Sequence, residues 1–145
     1  MKTIYIASDH AGFEAKQQII AYLLDKKQYI IEDAGCFESE SCDYPDFAHV
    51  VANFVSENPI NHIGILICGT GIGMAIAANR FKNVRATLVH SVYLAEMARL
   101  HGDCNVITLG SRTHTLTELK VFVNVFLNTE FEGGRHARRV ENYNI

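Results

Sequence analysis

Cysteine is sparse in this chain and unpatterned. The four cysteines at 36, 42, 68 and 104 form no C-x-x-C pair and no metal-ligand spacing, and four are few for a disulfide scaffold of 145 residues. A reducing cytoplasm is therefore expected. Positive charge is not in excess either, since 13 Lys and Arg against 16 Asp and Glu give a formal net charge of -3. That balance gives no general reason to expect nucleic acid or an anionic membrane as partner, so any anion site must be local. Long apolar runs are missing, and none approaches the ~20 residues of a membrane-spanning helix. Met1 runs straight into Ile4, Tyr5 and Ile6 without the basic and apolar regions of an export signal, so secretion is not signalled. Repeats, low-complexity tracts and linkers are also lacking. The expectation is one soluble domain over residues 1–145, with a basic helical tail from about 133.

What is present alternates. Short apolar runs and longer amphipathic stretches follow one another, the pattern of strand and helix units in a parallel sheet. Strands are read at Thr3–Ser8, Tyr29–Asp33, Ile63–Ile67, Arg85–Val89 and Asn105–Leu109. The third is continuously apolar, as a central strand covered on both faces should be. A helix beginning near Gly12 carries Phe13, Ile19, Ile20, Leu23 and Leu24 at helical spacing, and one opened by Pro45 carries Phe47, Val50, Val51, Phe54 and Val55. Further helices are read from Ile72 to Arg80, from Val92 to Leu100 with Ser91 as cap, and beyond Thr115 or Thr117 with Leu119, Phe122, Val123, Phe126 and Leu127 facing inward. Residues 34–43 show no period and form the longest loop. The fold class is α/β, a three-layer α/β/α sandwich on a five-stranded parallel Rossmann-like sheet.

Ligands of such sheets bind beyond the carboxyl ends of the strands. That rule selects Asp9-His10, Cys68 to Gly73, His90-Ser91 and Gly110-Ser111-Arg112. In Cys68-Gly69-Thr70-Gly71-Ile72-Gly73, alternating glycines let backbone amides turn inward at a helix start and receive an anion. The bland alternative is a tight turn beside a small buried thiol. What favours chemistry is a thiol at a strand end beside a helix N-terminus, where the dipole supports a thiolate.

Familiar motifs fail in turn. A dinucleotide fingerprint needs glycine at 74, where Met74 stands, and no Walker A loop occurs. Met74 also occupies the place of the arginine in a Cys-x5-Arg phosphatase loop. Nicotinamide, nucleoside triphosphate and phosphatase chemistry all lose support, and no cofactor is expected. His49, His62, His90, His114 and His136 give no pair at metal-ligand spacing, and no catalytic metal is expected.

Asp9-His10 reads equally as a sugar and phosphate contact or as a capping Asp beside an exposed His. His101 alone fits better as a favourable charge at a helix end. Arg135-His136-Ala137-Arg138-Arg139 after Gly133-Gly134 is either a solvated basic tail or a phosphate grip. Three arginines in five residues of an acidic chain, with Arg135 and Arg139 on one helical face, favour the grip.

Together, Ser8-Asp9-His10-Ala11-Gly12-Phe13, Asp43-Tyr44-Pro45, Ile67 to Gly73, Gly110-Ser111-Arg112 and Glu132-Gly133-Gly134-Arg135-His136 resemble type B ribose-5-phosphate isomerase over nearly the whole chain. The resemblance implies a homodimer or tetramer that interconverts ribose 5-phosphate and ribulose 5-phosphate through an enediol, without metal. It further implies Cys68 as base, Thr70 with the amides of Gly69, Gly71, Ile72 and Gly73 on the enediolate, and His101 with Asp9 in ring opening. Tyr44 would close over the sugar, while His10, Arg112, Arg135 and Arg139 hold the phosphate, some from a second subunit. The family often has asparagine after the ring-opening histidine, where this chain has Gly102. A six-carbon sugar phosphate, allose or galactose 6-phosphate, is therefore the nearest alternative substrate. Readings from other classes are a phosphosugar-binding module without chemistry, and a thiol enzyme with a covalent intermediate.

Overall fold

The computed structural model describes residues 1–144; Ile145, the last residue of the expected domain, lies outside the described residues. Five strands, β1 (Thr3–Ser8), β2 (Ile30–Asp33), β3 (His62–Cys68), β4 (Ala86–Leu88) and β5 (Val106–Gly110), form one sheet in the order β2-β1-β3-β5-β4. Every pairing is parallel, and β3 is central as its unbroken apolar run predicts. Among the described residues there are six helices: α1 (Phe13–Lys26), α2 (Tyr44–Glu57), α3 (Ile72–Ala78), α4 (Val92–Leu100), α5 (Leu116–Asn128) and α6 (Arg135–Glu141).

Alternation along β3 sorts the core into two layers. Ile65 and Ile67 pack with Ile19, Leu23, Ala95, Leu119 and Phe122 of α1, α4 and α5. Leu66 and Cys68 face the other way, towards Val51, Val55, Met74 and Ala78 of α2 and α3. The period of two along the strand thus decides which helices surround the thiol. From β1 the chain moves to β2 on one side and later to β3 on the other, which opens a crevice between β1 and β3 at their carboxyl ends.

The predicted caps form. Ser91 Oγ accepts from Leu94 N–H at 3.1 Å, and Thr115 with Glu118 makes a capping box. Several boundaries and faces differ from expectation. Helix α3 stops at Ala78 rather than Arg80 because the Asn79 side chain pairs with the backbone of Ala86, donating to its oxygen and accepting from its N–H, both at 2.8 Å. Strand β4 covers only Ala86–Leu88, β2 begins at Ile30, and β5 runs one residue later than read, to Gly110. Leu24, Val50 and Phe54 are exposed. The buried stripe of α1 is Lys16, Ile19 and Leu23, and that of α2 is Ala48, Val51, Ala52 and Val55. Lys16 is 0% exposed, with its Nζ 2.6 and 2.7 Å from the two carboxylate oxygens of Asp33.

Gly12 owes its place to space rather than to backbone freedom. A Cβ there would sit 2.6 Å from the Ile67 carbonyl oxygen and 2.8 Å from its Cγ2, on the central strand. Gly12→Ala is expected to lower stability by about 1–3 kcal/mol through overpacking, which the urea midpoint measures.

Candidate active site

The crevice between β1 and β3 is built by register. Ser8 pairs with Ile67, so Asp9 and Cys68 leave adjacent strand ends, and Asp9 N–H donates to the Ile67 carbonyl at 3.2 Å. Asp9 is buried, and one of its oxygens accepts the Gly12 N–H at 3.1 Å. Asp9 therefore caps the turn into α1, at the strand end next to the one that carries Cys68. His10 Nδ1 accepts the Cys42 N–H at 3.3 Å, which places the ring proton on Nε2 as a donor.

Cys68 is only 5% exposed, and the Gly71 N–H donates to its sulfur at 3.0 Å. An amide aimed at sulfur supports negative charge there. Gly71 has φ +83, and a Cβ on it would lie 2.9 and 3.0 Å from the Leu109 backbone, so this turn of the loop requires glycine. Its carbonyl is pinned by the buried Thr108 hydroxyl at 2.9 Å. Thr70 Oγ1 accepts the Ile72 N–H at 3.3 Å, and the Ile72 side chain is exposed.

Neighbouring loops are fastened to this turn. Ser111 N–H donates to the Cys68 carbonyl at 2.9 Å and Arg112 N–H to the Gly69 carbonyl at 3.0 Å. Arg112 lies over Gly69, where a Cβ would come within 3.2 Å of its Nη1. Tyr44 occupies the space that a side chain at Gly73 would need, with its hydroxyl 2.6 Å from that Cβ position. Asp9, His10, Tyr44, Cys68 to Gly73 and Arg112 thus converge at one edge. Cys42 and Cys104 are poorly suited to act as bases. Burial first, then the Cys36 thiol, pushes Cys42 up to about 11, and burial pushes Cys104 to about 11 against the pull of Arg85 and Arg99.

His101, Arg135 and Arg139 lie elsewhere. Helix α4 carries the chain from the carboxyl end of β4 back to the amino end of β5, and His101 caps it there. Cys68 pairs with Gly110 at the far end of β5. Between the two edges runs the length of β5, roughly 13 Å at ~3.3 Å per residue. Helix α6 also belongs to the amino edge, because Glu132 N–H donates to the Leu100 carbonyl at 3.0 Å. A cavity of about 400 Å³ beside α4 is lined by Met97, His101, His136, Arg139 and Tyr143 and reaches along the helix to Leu94 and Leu88. A larger one of about 880 Å³ opens at the amino edge, but Arg85 and Arg99 in its wall are engaged by Asp103 and backbone carbonyls.

The amino edge holds a cluster that sequence spacing did not reveal. His101 Nε2 is 3.4 Å and His136 Nε2 3.6 Å from the same Glu132 carboxylate oxygen, and the two rings stack with centroids 4.0 Å apart at 11°. Their donor atoms lie within 4.8 Å of one another. A metal ion lies in the plane of an imidazole that binds it, and two near-parallel planes this far apart share no such point. The arrangement suits a shared carboxylate better than joint ligation. His136 is held below the ordinary histidine value by burial, then by His101 and Arg135, against the pull of Glu132. Glu132 and His136 belong to a motif singled out in the sequence, yet 35 residues separate His101 from His136 and nothing local links them.

Residues 4–143 match the family model described as Ribose/Galactose Isomerase. The chain is 43% identical over 141 residues to ribose-5-phosphate isomerase B of Escherichia coli K12, covering 97% of this chain and 93% of that protein. It is 46% identical over 138 residues to a probable ribose-5-phosphate isomerase B of Mycoplasma pneumoniae, covering 94% and 90% of the two chains. Among solved structures, ribose-5-phosphate isomerase B of Mycoplasma genitalium with bound ribulose-5-phosphate superposes with TM-score 0.92 at 46% identity, over 96% of this chain and 91% of that one.

Proposed function

Because the chain belongs to the ribose/galactose isomerase family, we propose that it interconverts ribose 5-phosphate and ribulose 5-phosphate through an enediol, with Cys68 as the base. The observation that carries the assignment is the Cys68 sulfur at the end of β3, held by the Gly71 amide in the crevice that Asp9 borders. Once the sugar is open, the thiolate takes the C2 proton, charge develops on O1, the O2 hydroxyl proton passes to O1, and the thiol, whose proton can exchange with water, protonates C1 as O2 becomes the carbonyl. Thr70 and the amides of Gly69, Gly71, Ile72 and Gly73 face the enediolate, and Tyr44 closes over the sugar. His10 and Arg112 hold the phosphate from the carboxyl edge, with Arg135 and Arg139 opposite. His101 opens the furanose, with Asp9 on the ring or hydroxyl oxygens. No step calls on a metal or cofactor. The protein works in the cytoplasm as one domain with a basic tail.

The geometry supports a homo-oligomer whose sites are shared. One subunit holds the thiol and the tail guanidinium groups at opposite ends of its sheet, and a substrate of five carbons reaches both only if a second copy presents its amino edge. Exposed Ile72 and Ile76 on α3, with Val92 and Tyr93 at the start of α4, offer apolar surface for that contact.

Complementation tests this directly. Cys68→Ala and Arg135→Ala are each expected to abolish turnover by metal-free protein. Mixed after unfolding and refolding, they should recover roughly a quarter of wild-type activity, because half the dimers are mixed and each mixed dimer has one intact site. No recovery would place thiol and arginine in one subunit, and full activity of either variant would refute its role. Solvent deuterium entering the sugar separates catalysis from mere binding. The six-carbon reading rests on Gly102, which leaves the amide often found there unsupplied; relative rates on ribose 5-phosphate and allose 6-phosphate decide it.

A further inference from the structure

We propose that Glu132 and His136 are positioning residues for His101, fixing which of its ring nitrogens meets the sugar during ring opening; the inference rests on the isomerase reading above. Glu132 Oε2 lies 3.4 Å from Nε2 of His101, and a carboxylate at that distance favours the proton on Nε2, which leaves Nδ1 to accept one. Among the described residues, Nδ1 of His101 has no hydrogen-bond partner. His136 sets the plane of the ring, with its own ring stacked at 4.0 Å and itself buried.

Two further features hold this arrangement. The Glu132 N–H bond to the Leu100 carbonyl at 3.0 Å delivers the carboxylate beside the residue it serves. Gly133 and Gly134 have φ +72 and +57, while a Cβ at either would meet nothing within 4 Å. These glycines are therefore required by conformation and not by space. That conformation turns α6 so that His136 falls back onto His101, with Arg139 in the wall of the same cavity.

In the step itself, Nδ1 of His101 takes the proton of the anomeric hydroxyl as the bond between C1 and the ring oxygen O4 breaks. The aldehyde forms at C1, O4 takes a proton from water, and His101 returns its own to solvent. Without Glu132 the ring is free to present either nitrogen, and fewer encounters open the sugar.

The ketose provides the control. Ribulose 5-phosphate cannot form a five-membered ring, because the C5 oxygen that would close on C2 carries the phosphate, so its isomerisation needs no opening step, and the open aldehyde that it yields can leave and close in water. Glu132→Gln is expected to slow ribose 5-phosphate turnover about 10-fold, less than the ~10²-fold expected for loss of an acid-base group. Turnover of ribulose 5-phosphate should change by less than about threefold. His136→Ala should behave like Glu132→Gln, and His136→Phe, which keeps a stacked ring, should restore the aldose rate. Equal losses in both directions, or no loss in either, would overturn the positioning role. Wild-type protein inactive on both sugars would overturn the isomerase reading and this role with it, a result distinct from the other two.

Discussion

Cys68→Ala should yield a folded protein whose isomerisation of ribose 5-phosphate has fallen by about 10³-fold, within the ~10²–10⁴ supplied by a positioned base. The sulfur lies among Leu66, Met74 and Ala78 and accepts one amide, so its removal leaves a small void and one unpaired N–H. Those losses cost about 1–3 kcal/mol, well inside the stability of an ordinary domain. Circular dichroism and the urea midpoint check the fold while a coupled assay reads the rate. Serine at the same position keeps a hydrogen-bonding atom but replaces an ionisable thiol with a weakly acidic hydroxyl, and should be nearly as inactive. A Cys68→Ala protein retaining most of its turnover would remove the base from the mechanism.

The largest stability effect is expected at the ion pair of Lys16 and Asp33. Breaking a buried pair from one side typically costs ~3–5 kcal/mol, because the surviving charge loses its partner without regaining water. The two sides are unequal here. Lys16 is wholly enclosed, while the Asp33 side chain is 28% exposed and also accepts the Gly35 N–H at 3.0 Å. Asp33→Asn strands a buried ammonium and should take the full penalty. Lys16→Met leaves a carboxylate that water can reach, and should cost about half as much. The double substitution should be more stable than Asp33→Asn alone, and equilibrium urea unfolding of the three variants measures the order. Additive losses would mean that the contact contributes little. The pair also steadies the site, because Asp33 ends β2 where the loop towards Tyr44 departs, and Lys16 lies between the Phe13 and Phe37 rings at 5.4 and 5.6 Å.

Much of the fold was legible because each element obeyed one local rule. Ile63 to Ile67 could only be a buried strand, Pro45 opened its helix, and Ser91 and Thr115 capped theirs. Lys16 was not legible, since a lysine within an amphipathic helix ordinarily belongs to its wet face and only Asp33, 17 residues away, explains its burial. The helical period points Leu24 and Phe54 inward because i and i+4 positions blur the edge of a stripe, and the structure turns both outward. The carboxyl edge could be read from the rule that ligands gather at strand ends, which joined Asp9, Cys68 and Arg112 correctly. The separation of His101 and the tail arginines from that edge depends on strand order and crossover direction, which no local pattern encodes. The stack of His101 on His136 depends in turn on two glycine dihedral angles.

The distance from thiol to tail arginines has one further consequence. If reach is measured across the gap between two molecules, the rigid core has no say in how long a sugar fits. Adaptation to a longer substrate then needs only a changed docking angle, or a different set of the pivot at Gly133 and Gly134, and the reacting end of the pocket can remain as it is.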